Sequence, residues 1–352
     1  MNPYPSSRRW NFLALPAALA PFFLGASPAI AEDSTKVPGR PGIRANADPA
    51  HPSWDLLLSN NLIGTYHADL KGTPGIYPLL SPKGRPLTRR FPIGPATETE
   101  RDDHDHHRSL WFTHGEVTNT TSGKVDFWLD DPSPHTGIVR QTGARIEESD
   151  HGPKLITQNE WRDAQGRLML TDTRWLHVQN IAGDTAMDFT VRLQAASETA
   201  FLGDTKEGTF GIRVGGAMKV DAKRGGTIHN AEGLTGKAAW SKASAWVDYS
   251  GPVPAAPDQL DASETTETAG ITMMYHPQNS LQPCRWHVRT YGLFAANPFG
   301  RKHFGLEPYK GYPLEPGEPL TLRFRMVLHD GGFDDEKAAL HYAKFAAEAS
   351  GG

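Results

Sequence analysis

Residues 154–193 read KLITQNEWRDAQGRLMLTDTRWLHVQNIAGDTAMDFTVRL and contain three strand signals separated by two turns. Alternate positions of the first signal share one face: Leu155, Thr157, Asn159 and Trp161. Gly166 marks the turn into a second strand, residues 168–178, and residues 180–184 form the turn into a third, residues 186–193. Turns about ten residues apart predict an antiparallel meander.

Similar strand signals extend in both directions from this meander. They cover residues 61–67, 75–80, 210–214, 245–249, 271–275, 285–293 and 320–328. Only residues 337–349 have a helical composition, with Asp334 as the N-cap. The 35 glycines and 28 prolines also favour short elements joined by turns. The sequence therefore predicts an all-β domain over residues 53–352, an antiparallel β-sandwich closed by a C-terminal helix.

The N-terminus has the features of a targeting segment. Arg8 and Arg9 precede an apolar run, and Ala29 and Ala31 form a small-x-small cleavage site, so residues 1–31 are predicted to be a signal peptide cleaved near Ala31. The twin arginines leave open whether export is in the folded or unfolded state. Residues 32–52, polar and rich in Pro and Gly, are predicted to be a flexible leader. We expect a periplasmic or secreted protein.

Composition narrows the classes of partner. The net charge of −4 gives no indication of nucleic acid or an anionic membrane as a partner. The single cysteine, Cys284, excludes an intrachain disulfide framework. No segment after the signal peptide has the length and apolarity expected of a membrane span, so no membrane insertion is expected. The oligomeric state stays open.

The highest density of ionisable side chains lies in residues 102–115, DDHDHHRSLWFTHG. If this stretch is extended, His104 and His106 share one face, and Asp103 and His107 share the other. Imidazole titrates near neutrality, so these side chains can carry protons or bind a substrate. A divalent metal held by His104, His106 and His114 is the alternative, and a solvated polar loop is the third interpretation.

A second candidate segment is residues 203–214, GDTKEGTFGIRV. Glu207 is a candidate acid or base opposite a histidine, while Lys206 and Arg213 are candidates to hold a ligand. The alternative is a β-turn with solvated charges.

The third candidate segment is residues 284–300, CRWHVRTYGLFAANPFG. A strand here places Arg285, His287, Arg289 and Tyr291 on one face, which is too polar for a sandwich core. That face either lines a polar groove or meets solvent, and Asn297 ends the strand. Elsewhere, Trp111 and Trp128 are candidates to stack on a sugar ring because they lie beside the histidines.

These blocks resemble a bacterial family of unknown function whose members often carry the label "methane oxygenase PmoA". The resemblance rests on residues 103–115, 125–128, 204–214, 246–251 and 286–300, and it spans nearly the whole mature chain. It implies a β-supersandwich similar to galactose mutarotases and a place among carbohydrate-utilising proteins.

The leading hypothesis is an exported enzyme that hydrolyses a glycosidic bond by general acid–base catalysis in a histidine-rich cleft, with no cofactor. Its predicted catalytic residues are Asp103, His104, His106, His107 and Glu207. Its predicted substrate-binding residues are Arg108, Trp111, His114, Trp128, Lys206, Arg213, His287, Arg289, Tyr291 and Asn297. A sugar epimerase or mutarotase, a polysaccharide lyase, a metal-dependent enzyme and a non-catalytic sugar-binding protein remain the alternatives.

Overall fold

The computed structural model describes residues 39–254 and 267–348. Within these ranges almost all regular structure is antiparallel β-strand, and a single α-helix lies at the C-terminal end. The prediction of an antiparallel β-sandwich with a C-terminal helix is confirmed. The predicted signal peptide lies outside the described residues.

Two eight-stranded sheets and one four-stranded sheet make up the fold. The first sheet has the order β1 (Pro41–Ala45), β2 (Ser53–Leu58), β3 (Asn61–His67), β4 (Gly75–Leu79), β5 (Leu110–Phe112), β13 (Phe210–Arg213), β18 (Leu293–Asn297) and β17 (Arg285–Val288). The second has the order β14 (Thr227–Asn230), β15 (Trp246–Val253), β16 (Glu267–Tyr275), β20 (Leu320–Asp330), β11 (Asp184–Ala195), β10 (Leu168–Ile181), β9 (Lys154–Arg162) and β8 (Ile138–Glu147). The small sheet has the order β19 (Tyr312–Leu314), β12 (Ala200–Leu202), β6 (Val117–Asn119) and β7 (Gly123–Val125).

Aromatic rings join the two large sheets across the core. Phe210 of the first sheet has its ring centroid 4.5 Å from that of Phe189 and 4.8 Å from that of Phe324, both in the second sheet. All three side chains are buried. Burying each ring contributes about 1.5–3 kcal/mol, so this contact stabilises the packing of the two sheets.

A buried ionic group also connects the sheets. Arg174 on β10 donates to Asp172 on the same strand at 3.0 Å, and to the carbonyl oxygen of Phe112 on β5 at 3.3 Å. Asp172 accepts further hydrogen bonds from Asn159 and Trp161. Because both carboxylate oxygens of Asp172 accept hydrogen bonds, its charge is tolerated in the core.

The meander that the alternation predicts is present as β9, β10 and β11, paired in sequence. Leu155, Thr157, Asn159 and Trp161 are all buried, as expected for one face of β9. The turn between β10 and β11 is reduced to Ala182 and Gly183, both at positive φ.

The predicted flexible leader needs correction where it is described. Pro41–Ala45 forms β1, which pairs with β2 at the edge of the first sheet. Ile43 packs against the core, and Arg44 contacts Asp55 at 2.6 Å. Proline is tolerated there because an edge strand needs fewer backbone donors. The ordered domain thus begins before residue 53.

The predicted single strand over residues 285–293 is a hairpin of β17 and β18. The Arg289 N–H donates to the Leu293 carbonyl oxygen, and the Gly292 N–H donates to that of Arg289. Gly292 has φ 107°, a conformation that glycine adopts without strain. Arg289 and Tyr291 therefore lie in the turn rather than on the strand face shared by Arg285 and His287.

Helix α1 (Asp335–Ala347) begins where Asp334 caps it, with the carboxylate accepting from the Lys337 N–H at 3.0 Å. Phe345 and Ala338 bury one side of the helix against Trp246 and Met274 of the second sheet. In the described ranges, no helix is long and apolar enough to cross a membrane.

Candidate active site

The candidate site lies on the outer face of the first sheet. Phe210, Ile212, Trp286 and Val288 point into the core, so the intervening residues of β13 and β17 point outward. Together with the loops over this face they form a set that we call the outer-face cluster. Its members are Asp103, His104, His106, His107, Lys206, Glu207, Arg213, Trp240, His287, Arg289 and Tyr291.

The histidine loop that enters this cluster is a turn, so the face pattern of an extended stretch does not apply to it. His104 has φ 53°, and the His107 N–H donates to its carbonyl oxygen. The buried Arg89 holds the turn through hydrogen bonds to the carbonyl oxygens of Arg101, Asp103 and His104. His104 and His106 consequently do not alternate with Asp103 and His107 across a strand.

Arg213 connects the histidine loop to the first sheet. Its guanidinium donates to His107 Nδ1 at 2.9 Å and to Asp103 Oδ1 at 3.1 Å. Burial works against ionisation of Asp103, but the charges of Arg213, His104 and Arg89 hold its pKa below the usual value. Since His107 Nδ1 accepts, the proton of this neutral ring is on Nε2.

Aromatic contacts connect the histidine loop to the turn after β17. The His104 ring stacks on the His107 ring at 4.8 Å and on the Tyr291 ring at 5.6 Å. The Arg213 and Arg289 guanidinium groups lie 4.8 and 5.5 Å from the centroid of the Tyr291 ring. The first and third candidate segments therefore meet at Tyr291.

Glu207 brings in the second candidate segment. Its carboxylate lies 3.2 Å from Lys206 Nζ and 3.7 Å from His287 Nε2, and a quarter of its side chain is exposed. Trp240 Nε1 donates to His287 Nδ1 at 3.1 Å, which places the imidazole proton on Nε2, toward Glu207. A solvent-accessible carboxylate and a neutral N–H donor thus stand side by side.

A second carboxyl group, Asp126, borders the loop that carries Glu207. The small sheet places it there, since Asp126 follows β7 and the loop of residues 203–208 follows β12. Burial, with the charges of Asp131 and Glu207, raises the pKa of Asp126 to about 6, against the lowering effect of hydrogen bonds from the Leu129 and Trp128 N–H groups. Asp126 is therefore a carboxyl group that titrates near neutrality.

Three histidines of the cluster, His106, His107 and His287, do not titrate near neutrality, contrary to the sequence-based expectation. Burial, then neighbouring positive charges, lowers the pKa of His106 to about 4 and that of His287 to about 3. Burial, with His106 and Arg213, also places the pKa of His107 well below its ordinary value. These imidazoles are neutral at pH 7, so they serve as hydrogen-bonding groups rather than as imidazolium acids.

Five predicted substrate-binding residues are instead buried, where they make contacts within the fold. Trp111 and Trp128 are 1% and 0% exposed and form the floor beneath the cluster, with ring centroids 4.9 Å apart. Arg108 is buried and pairs with Asp130 at 3.0 Å. The Asn297 side chain donates to the Thr205 carbonyl oxygen and accepts from the N–H groups of Phe299 and Gly300. Sequence did not show that loops cover this part of the sheet.

His114 is the fifth, and it also bears on the metal alternative. Burial lowers its pKa to about 4, its Nε2 donates to the Gly203 carbonyl oxygen at 3.0 Å, and its Nδ1 lies 3.2 Å from Thr209 Oγ1. No lone pair is left for a metal shared with His104 and His106. Among the described residues, no three His, Cys, Asp or Glu side chains are arranged to hold a metal ion.

The structure thus brings together residues from all three segments and adds three that sequence reasoning missed. Arg89 builds the histidine turn, Trp240 orients His287, and Asp126 supplies the second carboxyl group. Asp126 stands between Val125 and Phe127, and an acidic residue inside such an apolar run was the signal available for it.

The model of a family of unknown function, DUF6807, matches residues 53–343, and the chain belongs to that family. The family description carries no activity, and the methane oxygenase label finds no support in it. No curated protein matches the sequence.

Several solved structures are distantly similar. A galactose mutarotase-like protein from Clostridium acetobutylicum is 8% identical with a TM-score of 0.41, over 84% of this chain and 99% of that one. Galactose 1-epimerase from Lactobacillus acidophilus is 7% identical with a TM-score of 0.39, over 84% and 100%. The GH36 α-galactosidase AgaB from Geobacillus stearothermophilus is 10% identical with a TM-score of 0.42. That match covers 82% of this chain but only 41% of AgaB, so the chain spans about two fifths of its length. At these values none of the similarities assigns an activity.

Proposed function

We propose that this protein is a carbohydrate-active enzyme that binds a saccharide over the outer-face cluster and hydrolyses a glycosidic bond. The observation that supports this most is the pair of carboxyl groups with different environments. Glu207 is accessible and lies between Lys206 and His287, whereas Asp126 is largely buried with a pKa of about 6. One accessible and one largely buried carboxyl group suit the roles of base and acid.

In this proposal Asp126 is the general acid and Glu207 is the base or nucleophile. Asp126 gives its proton to the glycosidic oxygen as the bond to the anomeric carbon breaks. Glu207 either removes a proton from the attacking water, or attacks the anomeric carbon to form a glycosyl ester. In the second case water then hydrolyses the ester, the Asp126 carboxylate accepts the proton of that water, and Glu207 is released. His287 keeps its Nε2 proton and donates a hydrogen bond, and the partly exposed faces of Trp240 and Tyr291 suit the apolar faces of sugar rings.

Mutarotation or epimerisation is the second candidate, and the contact between Glu207 and His287 favours it. A base and a neutral N–H donor 3.7 Å apart can remove a proton from one sugar oxygen and hydrogen-bond to another. Hydrolysis releases new reducing ends, whereas mutarotation only interconverts anomers. Reducing-end assays and proton NMR of the anomers therefore separate the two reactions.

The test uses purified protein, a panel of oligosaccharides and the variants Glu207→Gln and Asp126→Asn. We expect turnover in the wild type and a loss of about 10²–10⁴-fold in each variant, the usual contribution of general acid–base catalysis. Glu147→Gln, an exposed change on β8 in the other large sheet, is the matched control and should keep full activity. Full activity in both site variants would refute the proposal.

A further inference from the structure

Arg289 differs from the other basic side chains of the outer-face cluster. Its guanidinium carbon lies 5.8 Å from the centroid of the Trp240 ring and 5.5 Å from that of the Tyr291 ring. The side chain is half-buried at the turn between β17 and β18. Two aromatic rings therefore hold the group in place without satisfying its N–H donors.

The neighbouring cations already have anionic or lone-pair partners. Arg213 donates to Asp103 and His107, and Lys206 lies against Glu207. Within residues 39–254 and 267–348, the Arg289 guanidinium makes no hydrogen bond and no ion pair. A planar fork of five N–H donors that is oriented but unpaired is suited to an anion supplied by a ligand.

Arg289 also stands close to the proposed reacting groups. Trp240, which it overlies, donates to His287, and His287 in turn faces Glu207. After burial, the positive charge of Arg289 has the largest effect in lowering the pKa of His287. An anionic group bound at Arg289 would thus belong to the saccharide that occupies the Glu207 site or to the adjoining sugar unit.

We infer that Arg289 recognises an anionic substituent of the substrate, so that the substrate class is acidic saccharides. The shared chemistry is a compact group of anionic oxygens, either the carboxylate of a uronic acid or a sulfate ester. This inference rests on the proposed function, because it takes the outer-face cluster as the saccharide site.

The experiment measures binding to the Glu207→Gln protein, which limits turnover, by titration calorimetry at low salt. Galacturonic acid and galactose 6-sulfate are each compared with galactose, and glucuronic acid is compared with glucose. We expect at least one acidic sugar to bind roughly 10- to 100-fold more tightly than its neutral counterpart, as for hydrogen bonds to a charged partner. The sugar that shows the preference identifies carboxylate or sulfate as the source.

Adding Arg289→Gln should reduce that preference to about onefold, and Arg289→Lys should keep part of it because the charge remains without the planar fork. Arg145→Gln, on the exposed edge strand β8, removes the same charge elsewhere and should leave the preference unchanged. Thermal melting of each variant checks folding, and Arg289→Lys remains informative if Arg289→Gln fails to fold.

Equal binding of acidic and neutral sugars, or a preference that survives Arg289→Gln, overturns the inference while the proposed function stands. Absence of binding by every sugar, together with absence of turnover on the oligosaccharide panel, overturns both.

Discussion

Burial changes the chemistry that the histidine residues can supply. His106, His107 and His287 are neutral at pH 7, so the proton carriers are expected among the carboxyl groups instead. Asp126, with a pKa of about 6, is a residue whose protonation changes in the useful range. The histidines then have two roles: His107 accepts a hydrogen bond from the Arg213 guanidinium, and His287 presents its Nε2–H.

The proposed role of Asp126 predicts the pH dependence of turnover. An acid must be protonated, so kcat/KM should decline as pH rises through about 6, by tenfold per pH unit well above it. Measuring kcat/KM from pH 4 to 9 checks this. In Asp126→Asn the residual activity should not decline as pH rises through about 6. A wild-type profile of kcat/KM that is flat between pH 5 and 8 would contradict the assignment.

At the scale of elements, the ionic connection between the two sheets is made by Arg174, which Asp172 holds in place. This carboxylate and Arg174 are both almost wholly buried, so removing the carboxylate leaves an uncompensated charge in the core. Asp172→Ala should lower the free energy of unfolding by about 3–5 kcal/mol, measured by urea denaturation. Glu147→Ala, an exposed residue on β8, should cost less than about 1 kcal/mol. Comparable losses for both would contradict the role given to Asp172.

The ion pair of His329 on β20 with Asp248 on β15 predicts a stability that depends on pH. Burial alone would lower the pKa of His329, but the hydrogen bond to Asp248 at 2.8 Å and the charge of that residue raise it. The stabilisation is therefore present below pH 6.5 and is lost as pH rises through the folded-state pKa.

His329→Gln tests this directly. Urea unfolding of wild type and variant should show a larger stability difference at pH 5.5 than at pH 9. A difference that stays constant or grows with pH would show that the charge of His329 does not contribute.

Local patterns predicted some elements better than others, for physical reasons. β9, β10 and β11 follow from alternation and turn residues that act over a few positions. β1 was missed because its partner, β2, supplies the stability that a Pro- and Gly-rich stretch lacks. The hairpin of β17 and β18 depends on one glycine at positive φ, which alternation does not reveal.

The membership of the outer-face cluster was predictable only in part, and the orientation of its side chains was not. Glu207, Arg213, His287 and Arg289 were found because charged side chains are unusual beside apolar strand residues. Whether Trp111 meets a ligand or lies beneath a loop depends on the histidine turn packed over it, which is a tertiary property. The pKa of Asp126 likewise depends on burial that comes only with the small sheet.

At the scale of the whole molecule, we propose that the chain is exported and that residues 1–31 are removed. Expression of the full chain in a bacterium with an intact export system should yield periplasmic or secreted protein whose N-terminus, read by mass spectrometry, lies near Glu32. Retention of Met1 in cytoplasmic protein would contradict this. Replacing Arg8 and Arg9 by lysine would block export only if the folded-state route is used.

The central claim is that the outer face of the first sheet is a saccharide site. The most direct test is a crystal structure of the Glu207→Gln protein soaked with the saccharide that binds most tightly. We expect sugar density within hydrogen-bond distance of residue 207 and of the Arg289 guanidinium, with a ring against Trp240 or Tyr291. Density for the sugar at another surface, with the outer-face cluster free of it, would contradict the claim.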